Sequence, residues 1–215
     1  MSKKISLVAI ILIIICTVFF LNNISEKPYV ARVGNERISV PEYMIYLQEQ
    51  VNAFEELGGA DIWEVDFNGE SSESVAKRNA LNSVIKVKIT NDKAKSMNIE
   101  LDEYELATAL EWAYQLHEHL SGESFEISLK ELEQIMMETE IYFKVFEELT
   151  DNFELSEIDF NIYYENMERN ISREDAKIIY ISEKKNEIFD SQFEIWEGEF
   201  DIQRNTEVFE SILLR

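Results

Sequence analysis

One cysteine, two histidines and 20 basic residues against 43 acidic ones are the chain's main shortages, and each closes off a class of function. Cys16 lies inside an apolar N-terminal run, so the chain beyond it holds no thiol, which excludes disulfides, thiol redox chemistry and cysteine metal sites there. His117 and His119 stand two residues apart. On a helix that spacing turns them about 200° from each other, so they cannot share a metal ion, and no helically spaced third ligand accompanies them. A formal net charge of −23 would repel a phosphate backbone, which argues against nucleic acid as a partner. Glycine-rich phosphate loops and Ser/His/Asp patterns are absent. Acids are scattered over every predicted helix rather than set at calcium-loop spacing, so no metal or cofactor is expected. Pairs such as Glu55-Glu56 and Glu147-Glu148 are too common here to single out an acid/base couple.

The longest apolar run covers residues 5–21, broken only by Ser6, Cys16 and Thr17 and preceded by Lys3 and Lys4. At about 1.5 Å per residue it nearly spans a hydrocarbon core of roughly 30 Å, so Ile5, Val8, Ile11, Ile14, Phe19 and Leu21 are expected to form a membrane anchor. The leading lysines place the N-terminus in the cytoplasm and the remainder outside the cell membrane, as a single-pass protein. A cleaved signal peptide would need a pair of small residues after the run, and a lipoprotein would need one before Cys16, where Ile15 stands. The uncleaved anchor is the leading reading of the three. Beyond it, 18 basic residues face 43 acidic ones. Such a surface solubilises, and it also attracts cationic unfolded chains.

After the run, residues 29–43 read as an extended segment, a turn at Gly34-Asn35 and a capped helix. Ser39 with Glu42, Asp102 with Glu105, Ser128 with Glu131 and Ser156 with Asp159 each place an oxygen acceptor three residues before an acid, the mark of a helix start. They predict helices over 40–57, 103–120, 129–150 and 157–169. A fifth, over 73–97, has Leu81, Val84, Ile85 and Ile89 on one face, with Lys77, Lys86, Lys93 and Lys95 expected elsewhere. Asn98 stands where a left-handed residue ends a helix, with Ile99 folding back. Gly58-Gly59 and residues 69–72 read as loop around Ile62, Trp63, Val65 and Phe67.

The string 30–39 (VARVGNERIS), Glu42-Tyr43, the helix end 94–99 (AKSMNI) and the Asp102 cap together resemble the N-terminal domain of SurA and PrsA-type extracytoplasmic folding factors, relatives of peptidyl-prolyl isomerases. Tyr163-Tyr164-Glu165, Asn166 and Ile171 resemble the linker helix that precedes the parvulin domain in that family. The resemblance implies a chaperone for secreted or unfolded polypeptides. It does not carry the catalysis over. Residues 176–181 (AKIIYI) look like the first parvulin strand, but Ile178 stands where the family has a histidine, and only about 34 residues follow. PrsA-type relatives also tend to be lipidated and lysine-rich, unlike this chain.

The expected fold is therefore mainly α: a transmembrane helix over 1–23, a SurA-N-like domain of about five helices with a short β-hairpin over 24–172, and a small antiparallel β element over 173–215. Alternation over 177–182 and 194–202 around a turn at 183–186 suggests a strand pair, with Val208, Phe209, Ile212 and Leu213 docking back on the helices. Tyr43, Tyr46, Phe54, Trp63, Trp112, Met136, Met137 and Phe143 are candidates for an adaptable client groove, since rings and thioethers accept many shapes. Core filling competes for each of them. A membrane-anchored chaperone without isomerase chemistry is the leading function, against a divergent isomerase or a scaffold for one dedicated partner.

Overall fold

A computed structural model describes residues 28–120, 126–167 and 171–214. The expected anchor, with Ile5, Val8, Ile11, Ile14, Phe19 and Leu21, lies outside the described residues. Among the described residues no helix is long and apolar enough to cross a membrane.

The chain enters through β1 (Tyr29–Val33) and β2 (Glu36–Ser39), an antiparallel pair whose two-residue turn uses Gly34 at φ +57°. A residue with a side chain is strained there, so glycine makes the turn. Ser39 then caps α1 (Val40–Gly58), accepting from the Glu42 N–H at 3.3 Å. A 3₁₀ turn (Gly59–Glu64) and a miniature hairpin, β3 (Asp66–Phe67) and β4 (Glu70–Ser71), lead into α2 (Ser72–Met97). The hairpin turns on Asn68 and Gly69, both at positive φ. The sequence reading treats this stretch as plain loop, although Asn-Gly is the strongest short hairpin signal.

Helices α3 (Glu103–His119), α4 (Leu129–Thr150) and α5 (Glu157–Glu165) follow, each at its expected cap. Asp102 and Ser128 form full capping boxes with Glu105 and Glu131. Asn98 adopts the left-handed conformation at φ 56°, and the Ile99 N–H returns to the Ala94 carbonyl at 3.0 Å. Helix α2 is the hub. Its Ala80, Leu81, Val84, Ile85 and Ile89 are buried among α1, α4 and the sheet.

The C-terminal third departs from the sequence reading. Residues 177–182 and 194–197, expected within a strand pair, lie in one helix, α6 (Arg173–Glu197), capped by Ser172, whose hydroxyl accepts from the Asp175 N–H at 3.0 Å. Its apolar stripe changes sides midway. Ala176 and Tyr180 pack on Phe160 of α5 in a satellite cluster, whereas Phe189 and Trp196 enter the main core. Tyr180 and Phe189 are nine residues apart, about 180° around the axis, so no single helical period runs through the segment. Among the described residues there, the one strand is β5 (Ile202–Arg204), which joins β1 rather than a neighbour in sequence, giving the sheet order β2-β1-β5. The short α7 (Thr206–Ser211) docks back as expected. Phe209 meets Tyr43 edge-on at 5.8 Å and Ile212 is buried, while Leu213 is exposed.

Lys77 is a second departure. Instead of pointing away, it is buried, donating to the Ile212 carbonyl at 2.8 Å and lying over the Phe209 ring. Its place four residues before Leu81 puts it on the apolar stripe of α2.

Candidate functional site

Where α2 ends at Asn98, residues 98–101 swing the chain across to α3, and a cleft of about 510 Å³ opens between this crossing, α3 and α4. Ala109 and Ala113 are buried where α3 meets α4, and their small side chains let the two helices close up. Lys144 of α4 reaches Glu105 of α3 at 2.6 Å across the same seam. Ile99, Leu101, Leu106, Met137 and Ile141 give the cleft apolar walls, and Asn91, Lys95, Asn98, Glu100 and Gln134 line it beside them. From Leu106 the stripe continues outward along α3 through Leu110 and Tyr114, one residue every four, the two leucines a little over a third exposed and Tyr114 about half.

Behind Glu36 and Glu138 of the cleft lining lies a polar cluster built around one ammonium. Lys88 Nζ lies 2.9 Å from Glu36 of β2, 2.7 Å from Glu42 of α1 and 2.6 Å from Glu138 of α4. Three elements are thereby tied to α2. Glu138 takes a second donor, Gln134 Nε2, at 2.7 Å, and Asn91 Nδ2 donates to its backbone carbonyl at 2.8 Å. Burial alone would lower the Lys88 pKa, yet Glu42 and Glu138 outweigh it and hold the amine above the usual lysine range. Glu42 goes the other way. Burial raises its pKa above the ordinary carboxylate value, and the negative neighbours Glu138 and Glu36 add to the shift, against the opposing pull of Lys88. Tyr46, enclosed beside them, is likewise pushed up by burial.

Of the eight groove candidates, the structure places Met137 in the cleft. Tyr43 and Tyr46 are buried and belong to the core, where the Tyr43 hydroxyl donates to the Lys77 carbonyl at 3.1 Å; they offer no surface to a client. Met136 packs against the core. Phe54 and Trp63 stack at 5.7 Å at the far end of α1, about 18 Å along the helix from Glu42, with Phe67 edge-on at 5.9 Å. Trp112 and Phe143 are exposed, and neither lines the cleft.

The sequence reading misses the ionic cluster, Asn91, Gln134 and the lip residues Ile99 and Leu101 as parts of one site. One signal was available: Lys88 falls four residues after Val84 and seven after Leu81, a charged residue set on the apolar stripe of α2. Glu42, read from the sequence only as the acid of the helix start, turns inward to Lys88.

A family model described as the SurA-like N-terminal domain matches residues 1–151. No curated protein and no solved structure matches the chain. The match covers more than half of the sequence and takes in β1 through α4, the whole frame of the cleft, and the chain belongs to the SurA-like N-terminal domain family.

Proposed function

We propose that the protein is a membrane-anchored extracytoplasmic holding factor, which binds non-native segments of exported polypeptides in the α2–α3–α4 cleft without isomerase chemistry. The observation that carries this reading is the continuous apolar path from the cleft out along Leu106, Leu110 and Tyr114. A soluble domain ordinarily covers such a stripe; here it runs into an open trough with a polar end, the form that an extended segment with alternating side chains can occupy. Anchoring rests on the N-terminal apolar run, and the absence of catalysis rests on Ile178, which lies on the exposed side of α6.

Three measurements test it. Full-length protein in nanodiscs should suppress aggregation of a reduced, unfolded client, and Leu106→Asn with Leu110→Asn should abolish most of that effect while leaving the melting curve in place. Wild-type protein that fails to protect any client would remove the reading. A proline-isomerisation assay should show no rate above the uncatalysed one, on the order of tens of seconds. Acceleration would favour the divergent isomerase instead. Protease added outside intact cells should digest the folded part, and complete protection would overturn the topology.

A further inference from the structure

The polar end of the cleft carries more negative than positive charge. Glu36, Glu42, Glu100 and Glu138 stand at or behind its wall against Lys88 and Lys95. These carboxylates are not equivalent. Glu138 engages Lys88 through one oxygen and Gln134 through the other, and Glu42 is buried behind the wall. Glu36 lines the cleft with its side chain 49% exposed, held by Lys88 through Oε1. A half-solvated carboxylate thus closes an apolar trough, whose low-dielectric walls screen it less than open water would.

Resting on the reading of the cleft as a polypeptide site, we propose that it selects segments in which a lysine or arginine neighbours apolar residues. The cationic head meets Glu36, and the neighbouring apolar side chains lie against Leu106 and Met137. The long methylene stem of such a residue suits the passage, since it can lie along the apolar wall while the charge reaches the polar end. An acidic side chain in the same place would meet Glu36 beside Glu138 and Glu100, with Lys88 already engaged by three carboxylates, so the selection also works by rejection.

The test uses the full-length chain in nanodiscs of neutral lipid and three short labelled peptides of identical apolar sequence, with lysine, glutamine or glutamate at one central position. By fluorescence anisotropy the lysine peptide should bind about three- to fivefold tighter than the glutamine peptide, the range of one partly solvated ion pair. Glu36→Gln should remove that gap, and Glu194→Gln, on exposed α6, should leave it. Equal binding of the lysine and glutamine peptides overturns the proposal, as does a gap that survives Glu36→Gln. A gap that shrinks equally in both variants also overturns it, because the attraction would then belong to the overall charge. If the glutamine peptide does not bind the wild-type protein at all, the holding function itself fails together with the selection; if it binds and only the gap is absent, the selection alone is wrong.

Discussion

The main core and the satellite cluster of α5 and α6 both set cations beside carboxylates and aromatic rings, with opposite consequences. In the main core Lys88 is buried and touches three carboxylates from three elements, so position and partner are both dictated. In the satellite, Arg173 lies over Phe160 and Tyr164, and Lys177 pairs with Glu157 at 2.8 Å, all at the solvent boundary. Water competes for every one of those charges. The same interaction types therefore join elements in one place and decorate them in the other. The family match ends at residue 151, before α5 begins, so the ionic cluster lies within the matched residues and the satellite outside them.

The sharpest way to break this contrast is to remove a single charge from each region. Lys88→Met leaves Glu42 and Glu138 buried without their cation, and should cost about 3–5 kcal/mol in denaturant unfolding, because breaking one side of a buried pair strands the other. Phe160→Ala should cost nearly as much within the satellite, about 3 kcal/mol, yet hydrogen exchange should quicken in α5 and the first half of α6 while α2 stays protected. Exchange that quickens equally throughout would mean the two clusters unfold as one. Removal of residues 207–215 should lower the melting temperature clearly, since it strips Phe209 from Tyr43 and Ile212 from Lys77.

A smaller effect follows from Glu42. Its folded pKa lies above the ordinary value of 4.5, so the folded state holds the proton more tightly than the unfolded one. That contribution to stability is complete below about pH 4.5 and disappears as the pH rises through the folded pKa. Glu42→Gln should flatten the stability profile across this window, and an unaltered slope would show that Glu42 titrates like a solvated acid. Ser128→Ala should cost about 1 kcal/mol through its cap. Smallest of all, Lys177→Ala should leave the melting temperature unchanged within error, because both members of its pair are well exposed.

The parts readable from sequence were those governed by local chemistry. Ser39, Asp102, Ser128 and Ser156 mark helix starts through their own hydrogen bonds, and Asn98 marks an end by tolerating a left-handed backbone, so each reading needed only neighbours in the chain. Ser172 with Asp175 carries the same signature and would have exposed α6; the six-residue alternation after it drew the reading toward a strand. That helix serves two cores on opposite sides, an arrangement set by tertiary packing and invisible to one period. The cleft was hidden for a similar reason. Glu36 and Glu42 are far in sequence from Lys88, and Lys88 from Glu138, and in a chain with 43 acids nothing marks the three that gather on one lysine. Two of the eight groove candidates, Tyr43 and Tyr46, are core instead, because a large ring contributes most to stability when it is fully buried.

Site-specific photo-crosslinking tests the central claim most directly. A photoreactive residue in place of Leu110, on the stripe beside the cleft, and another in place of Ile178, more exposed and on the first half of α6, would each be challenged with the same unfolded client on the full-length protein. The account predicts strong crosslinks from position 110 that a competing apolar peptide removes, and few from position 178. Equal crosslinking from both positions, or capture from 178 alone, would contradict it.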